Sequence, residues 1–354
     1  MTQNKLFTYP LDILESPSGI QLVRGANRFV ITNERASTIV KLIIALSNKG
    51  IYLEDLLSEF SEPDKNLVSS LLEALVDRRL AYYAEQATSI YGEESPQDIF
   101  IWHFNKTPSD FQTEINQAEI LLAGVNLLSL NVYDCLIRSG FSNITFIDDP
   151  LLRNIRLFDD LGNVKDMPDL GALIISETDI EEKFDKQKTL LMPCSDFGGK
   201  SAFRVWNRKA FDHNIRMLPV IMHDLRGLIG PYIIPNSSPC YECLISRENA
   251  NLSDIQEENI FSENAHRVQL TSSSYTDAML QALAGMAVME VIKIFTSIML
   301  CPTSELIDIS LLEPSLKRHP VLKIPRCECC SPAEWRPDVT INRNEFKNKL
   351  YASK

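Results

Sequence analysis

The chain has 354 residues, of which 45% are hydrophobic and 23% charged, with a formal net charge of -12. That length allows one large domain or two ordinary ones. The acidic balance argues against nonspecific nucleic-acid binding, which needs a concentrated basic surface, while leaving room for a local basic groove.

The opening MTQNKLFTYPLD lacks the apolar core of a secretory signal. No apolar run is expected to reach the roughly 20 residues of a membrane span. These features predict no membrane and a cytoplasmic location. Eight cysteines in a reducing compartment then point to free thiols or metal ligands.

Residues 1–86 read as a small α+β module. Leu11–Leu14, Ile20–Arg24 and Phe29–Thr32 are β-prone runs separated by the turn segments SPSG and GAN. Asn33 is placed to cap a helix with Ala36, Ile39, Leu42, Ile43 and Leu46 on its apolar face. A short helix over Leu53–Phe60 follows, then one from about Asp64 to Arg79 with Leu67, Leu71, Leu72 and Leu75 inward, and a closing strand at Leu80–Tyr83. The size and order suit a winged helix. Residues 87–117 are mixed and polar, with Pro96, Pro108 and the aromatic group Phe100, Trp102, His103 and Phe104, and read as a linker with some local structure.

From Glu119 the pattern alternates. Ile120–Ala123 is a buried strand, Leu127–Ser139 an amphipathic helix and Asn143–Ile147 a second strand, a βαβ unit that implies a parallel sheet. Leu173–Ser176, Met217–Met222 and Leu306–Ile309 add strands, and Tyr275–Ile298 a long apolar helix. This second domain spans 118–332, and 333–354 is a tail.

Cys240-x-x-Cys243 and Cys327-x-x-Cys330 have the knuckle spacing that brings two thiolates each to one tetrahedral zinc. Four cysteines fill the shell, leave no position for water, and so predict a structural site. Cys329 is a competing neighbour, but Cys327-x-Cys329 is too tight for the usual turn. The five histidines fall in scattered contexts without metal spacing, and no Ser/His/Asp set is visible.

A second pattern is incomplete. A phosphate-binding turn after a first strand needs GxGxxG, so that bare backbone meets pyrophosphate at a helix N-terminus. Here the stretch is Gly124-Val-Asn-Leu-Leu-Ser129, with bulky leucines where backbone should be exposed. ATP binding at this turn is therefore disfavoured. Asp148 and Asp149 follow the second strand, where a ribose contact is usual, although acidic residues there are also common caps.

Taken together, LLAGVNLLSLNVYDCLIRSGFSNITFIDD and the paired Cys-x-x-Cys motifs resemble the ThiF/MoeB-type relatives of ubiquitin-activating enzymes. Asp179, in Thr178-Asp179, matches the family's Asp near the magnesium site. Arg156 and Lys165 are similar to its phosphate-contacting segment. The resemblance covers about residues 117–330. Gly230-Pro231, then PCYEC, then HPVLKIPRCECC at 319–330 resemble the subfamily serving azole-modified peptides, the C proteins or ocin-ThiF partners of YcaO cyclodehydratases.

The resemblance implies a Rossmann-like ThiF-type α/β domain with a parallel-rich sheet and a four-cysteine zinc site, preceded by a winged-helix RiPP recognition element. It implies lost ATP use, leaving Gly124, Asp148, Asp149, Arg156, Lys165 and Asp179 as a vestige, and no catalytic residue in this chain. It also implies a precursor leader peptide and a YcaO-family protein as partners, allows a flavin-dependent azoline dehydrogenase, and leaves a homodimer open. By analogy, an extended leader adds a strand beside Arg28, Phe29, Val30 and Ile31 and faces the helix of Leu71, Leu72 and Leu75, although core packing is the plainer account of those leucines. The chain ends too soon, on this reading, to hold the YcaO domain. Two rivals stand beside it: a self-sufficient adenylating enzyme, and a zinc-stabilised winged-helix DNA binder that the acidic charge disfavours.

Overall fold

Two-residue loops at 17–18 and 25–26 fold three runs into an antiparallel meander, in which Ser16 pairs with Gly19 and Arg24 with Asn27. The second loop uses Gly25 at φ +57°, a conformation that tight hairpins favour. The computed structural model describes residues 4–87, 94–159, 164–165, 173–176, 188–197, 199–251, 256, 260 and 274–331. It divides into two compact units, 1–111 and 112–354.

In the first unit, β2 (Asp12–Ser16), β3 (Gly19–Arg24) and β4 (Asn27–Ile31) form the meander, with β4 at one edge. A separate antiparallel pair joins β1 (Lys5–Thr8) to β5 (Ala81–Ala84). Helices α1 (Glu34–Ser47), α2 (Leu53–Ser58) and α3 (Glu62–Asp77) lie between them in sequence. Asn33 caps α1 by accepting a hydrogen bond from the Ala36 amide at 3.0 Å.

The buried stripe of α1 is Ala36, Ile39, Val40 and Ile43, and Leu42 is 42% exposed. The sequence pattern places Leu42 on the apolar face, and the structure does not. At about 100° per residue it points away from the stripe centred on Ile39 and Ile43.

The helix α4 (Pro96–His103) lies in the stretch read as a linker, yet it packs into this unit. Its Trp102 is buried in the same core as Leu22 and Leu75. The Arg24 guanidinium lies 4.7 Å from the ring centres of both Tyr9 and Trp102, and donates to both carboxylate oxygens of Glu94 at 2.6 and 2.7 Å. A buried cation held by two rings and one carboxylate explains why this arginine is only 3% exposed. The helix α5 (Pro108–Asn116) crosses the boundary between the units in sequence.

The second unit is a mixed α/β layer structure. Its strands are β6 (Glu119–Ala123), β7 (Ile144–Asp148), β8 (Ile174–Ser176), β9 (Thr189–Ser195), β10 (Arg216–Met217), β11 (Val220–His223), β12 (Arg226–Ile229), β13 (Glu305–Ser310) and β14 (Ser315–Pro320). They form one sheet in the order β14-β13-β12-β11-β9-β6-β7-β8, with β10 beside β9. The half from β11 to β8 is parallel, and β12, β13 and β14 add antiparallel pairs.

Alternation along β6 sends Leu121 and Ala123 to one face, into a core with Trp206, Phe203 and Tyr241 of α7 (Lys200–Asp212) and α8 (Tyr241–Asn249). The helices α6 (Leu127–Arg138) and α9 (Asp277–Thr296) pack against each other, α6 on β6 and β9 and α9 on β11. At 20 residues and mean hydropathy 1.6, α9 does reach the length and hydropathy of a membrane span, against the expectation from the sequence. Its packing on β11 and α6, with Leu280, Leu283, Ala287 and Val291 buried, is that of a core helix.

Candidate functional site

The metal-ligand set is built on the start of α8 and on the loop after β14. Cys240 is the N-cap residue of α8, and the Cys243 amide donates to the Cys240 carbonyl at 3.1 Å, which turns both thiols to one side. On the other stretch of chain, the Cys327 amide donates to Ile324 O and the Ser331 amide to Cys327 O. The sulfurs of Cys240 and Cys327 are 3.5 Å apart, those of Cys243 and Cys330 are 3.5 Å apart, and those of Cys240 and Cys243 are 3.8 Å apart. All four lie within 4.8 Å of one another and all four residues are buried.

A tetrahedron with metal–sulfur bonds of about 2.3 Å has edges of about 3.8 Å, so the four thiols are spaced to hold one metal ion. The Ile324 amide points at the Cys243 sulfur at 3.4 Å, a bond that offsets thiolate charge. Hydrogen bonding with Cys243, Cys329 and Cys330 holds the Cys240 thiol well below its ordinary value, and burial lifts Cys327 to about 11. Cys329 stands outside the four. Its sulfur accepts from Asn207 Nδ2 at 3.1 Å, and Asn207 Oδ1 in turn accepts from the Tyr241 amide, tying the loop to α7 and α8.

The turn after β6 has a different chemistry. Gly124 has φ +99°, and a Cβ there would lie 2.6 Å from Leu152 Cβ and 2.8 Å from Cys194 O. Asn126 and Ser129 form a reciprocal cap of α6, and Asn126 Nδ2 also donates to Leu152 O and Cys194 O. The Leu127 amide, at the first residue of α6, donates to Asp196 Oδ2 at 3.0 Å. The same oxygen accepts from Asn154 Nδ2 at 2.8 Å and Tyr275 OH at 3.2 Å.

Asp196 therefore sits where a helix N-terminus would receive an anion. It is 1% exposed, burial raises its pKa, and its Oδ1 has no hydrogen-bond partner among the described residues. The sequence pattern does not single out Asp196. Its signal was an acidic residue directly after the apolar run LLMPCS, at the C-terminal end of β9.

The other residues of the expected vestige divide. Asp148 is engaged in a two-pronged ion pair with Arg153, whose guanidinium also covers the Phe158 ring. Asp149 is buried, accepting from the Leu151 amide and the Trp206 indole at 2.8 Å each. A ribose contact is thus not the role its surroundings give it, since both oxygens serve the fold. Arg156 follows Asn154, whose side chain accepts the Arg156 amide hydrogen, and Lys165 is exposed. Asp179 lies outside the described residues, as does the tail 333–354.

In the first unit, Arg28 and Val30 turn outward and Phe29 and Ile31 inward along edge strand β4, with Val30 54% exposed. Leu71, Leu72 and Leu75 are 7, 4 and 0% exposed and belong to the core. They do not line an open groove, because their stripe of α3 is the one that packs inward. The α3 terminus instead meets β4 through Arg78, which lies 4.4 Å over the Phe29 ring and accepts from Asn27 Nδ2 at its carbonyl.

Comparison with solved structures gives the architecture a parallel. The chain superposes on the heterocyclase TruD with a TM-score of 0.60 at 15% identity, covering 93% of this chain and 43% of TruD. The fold is ThiF-like. A heterocyclase in complex with substrate and cofactor matches with a TM-score of 0.59 at 16% identity, over 93% of this chain and 40% of that one. E. coli MccB bound to AMPCPP and MccA matches with a TM-score of 0.61 at 14% identity, over 93% of this chain and all of MccB. The chain thus spans about two-fifths of the two heterocyclases. No family model matches it, and no curated protein matches it in sequence.

Proposed function

We propose that this chain is the leader-peptide-binding, non-catalytic partner of a YcaO-dependent cyclodehydratase, which makes thiazoline or oxazoline rings in a ribosomal precursor peptide. The observation that carries the proposal is the Asp196 carboxylate on the Leu127 amide. A triphosphate at this helix end would have to displace an internal acceptor and meet Asn126 and Leu127 where bare backbone is needed. ATP chemistry is accordingly assigned to the partner, and the likeness to TruD supports a place in heterocyclisation.

The leader would pair with the outer edge of β4. In an antiparallel ladder residues alternate between bonding their neighbour strand and facing away. With Arg24 and Asn27 closing the hairpin, Phe29 and Ile31 bond β3, and Arg28 and Val30 direct their main-chain N–H and C=O outward. Zinc is the metal we assign to the four cysteines, with a structural role because the shell is filled. The setting we assign is the cytoplasm. Fluorescence polarisation with a labelled leader from the precursor gene beside this one tests the reading. Binding supports it, and absence of binding removes its main support.

A second reading, an ATP-dependent adenylating enzyme acting on a peptide, is favoured by the match to MccB bound to AMPCPP over that protein's full length. Pyrophosphate exchange by the purified chain would establish it and displace the first.

A further inference from the structure

The second unit has a recess of about 310 Å³ between α8 and the antiparallel end of the sheet. Its floor is apolar, made by Leu228 of β12, Leu244 of α8, Leu306 of β13 and Val321. Lys200, Arg226 and Arg247 ring it beside Glu248 and Asp308, with the imidazoles of His223 and His319. The whole chain carries a formal charge of -12, so this gathering runs against its general acidity.

Among the described residues most of the ring is internally compensated, and Arg247 meets no carboxylate. Arg226 pairs with Asp308, which also bonds His319 at 3.2 Å, and Lys200 pairs with Glu248 at 3.1 Å. Burial lifts the Asp308 carboxyl, but Arg226 and His319 outweigh it and hold the group below its ordinary value. Arg247 donates its Nε to the Leu322 carbonyl at 2.9 Å, and its side chain meets no carboxylate among the described residues. That bond engages Nε and leaves the terminal nitrogens for another acceptor. A guanidinium that meets no carboxylate among the described residues, beside an apolar surface, recognises an anion carried on an apolar stem.

We propose that this recess binds a carboxylate on an aliphatic stem, of the size of one amino-acid residue, such as the C-terminal residue of a peptide. The carboxylate meets the Arg247 guanidinium in two parallel hydrogen bonds, and the aliphatic stem covers Leu228, Leu244 and Leu306. The inference does not depend on ATP use or on the β4 edge. The recess lies beside the four-cysteine loop: α8 carries Cys243 three residues after its cap Cys240, and the segment after His319 leads to Cys327. A metal held by the four cysteines would clasp its two walls.

Saturation-transfer NMR and calorimetry on the metal-loaded full chain test it, with N-acetyl-leucine, N-acetyl-leucinamide, N-acetyl-leucyl-leucine and inorganic phosphate as probes. N-acetyl-leucine should bind with saturation transfer to its methyl groups, and the amide at least about tenfold more weakly. Arg247→Gln should lower the affinity about tenfold, the scale of a charge-assisted hydrogen-bond pair, while Arg247→Lys retains part of it. The dipeptide separates the sources: tighter binding than N-acetyl-leucine points to a peptide terminus, weaker binding to a free small acid, and both keep the recess as a carboxylate site. Equal binding of acid and amide, unchanged affinity in Arg247→Gln with its Tm preserved, or binding of phosphate alone would each overturn it. If Arg247→Gln does not fold, the acid-against-amide comparison on the unmodified chain decides alone.

Discussion

The backbone amide of Leu127 donates to the carboxylate of Asp196 across 69 residues of sequence, at 3.0 Å. A buried acidic side chain thereby satisfies the first turn of α6 from within the fold, together with Asn154 and Tyr275. That arrangement makes the turn self-sufficient, because the dipole and the orphan amide already have an acceptor.

Replacing Asp196 tests the account directly. Asp196→Asn keeps an acceptor for the three donors and removes the cost of burying a charge. Because burial raises the folded pKa above the unfolded value, the carboxyl's contribution is full below the unfolded pKa and lost as pH rises through the folded one. Asp196→Asn should therefore gain Tm relative to the unmodified chain as pH rises, in scans from acid to neutral pH. Asp196→Ala orphans three donors and should cost about 1–3 kcal/mol in urea denaturation.

Metal removal should unfold the second unit. Stripping a structural zinc forfeits on the order of 10 kcal/mol of coupled binding and folding free energy. One metal per chain is expected by elemental analysis, and chelation or Cys327→Ser should abolish cooperative melting. Cys329→Ser should keep the metal, since its sulfur bonds Asn207 and lies outside the four.

A proline at position 30 separates the β4 edge from the core beneath it. Val30→Pro removes an outward amide without touching the ladder to β3, a change edge strands tolerate. Leader affinity should fall up to about tenfold, the scale of one lost backbone hydrogen bond, with Tm nearly unchanged. Leu75→Ala is the counterpart: a fully buried leucine should cost about 2–5 kcal/mol of stability, read by denaturant titration.

Gly124→Ala places a Cβ against Leu152 and Cys194 at a positive φ. The backbone conformation alone costs roughly 1–2 kcal/mol for an L-residue, and the contacts add to it. A loss of more than this amount is expected by chemical denaturation, with metal content unchanged.

The cysteine pairs, the βαβ unit at 119–148, the Asn33 cap and the glycine after β6 were legible in the sequence, because each rests on local spacing or a local backbone demand. Four strands were not: β1, which finds its partner only in β5, far along the chain, and β9, β12 and β14 of the second unit. β9 is a fully buried run interrupted by Pro193, which argues locally against a central strand, yet it lies between β6 and β11. β12 and β14 are short or wholly exposed, and only their partners define them. The role of Asp196 was likewise invisible: its environment is assembled by Leu127, Asn154 and Tyr275, distant in sequence. Sequence by itself determined which residues could ligate a metal and where backbone had to be glycine. Tertiary structure decided which acid fills the helix end and which leucines are core, because those depend on long-range burial and on donors that only folding brings together.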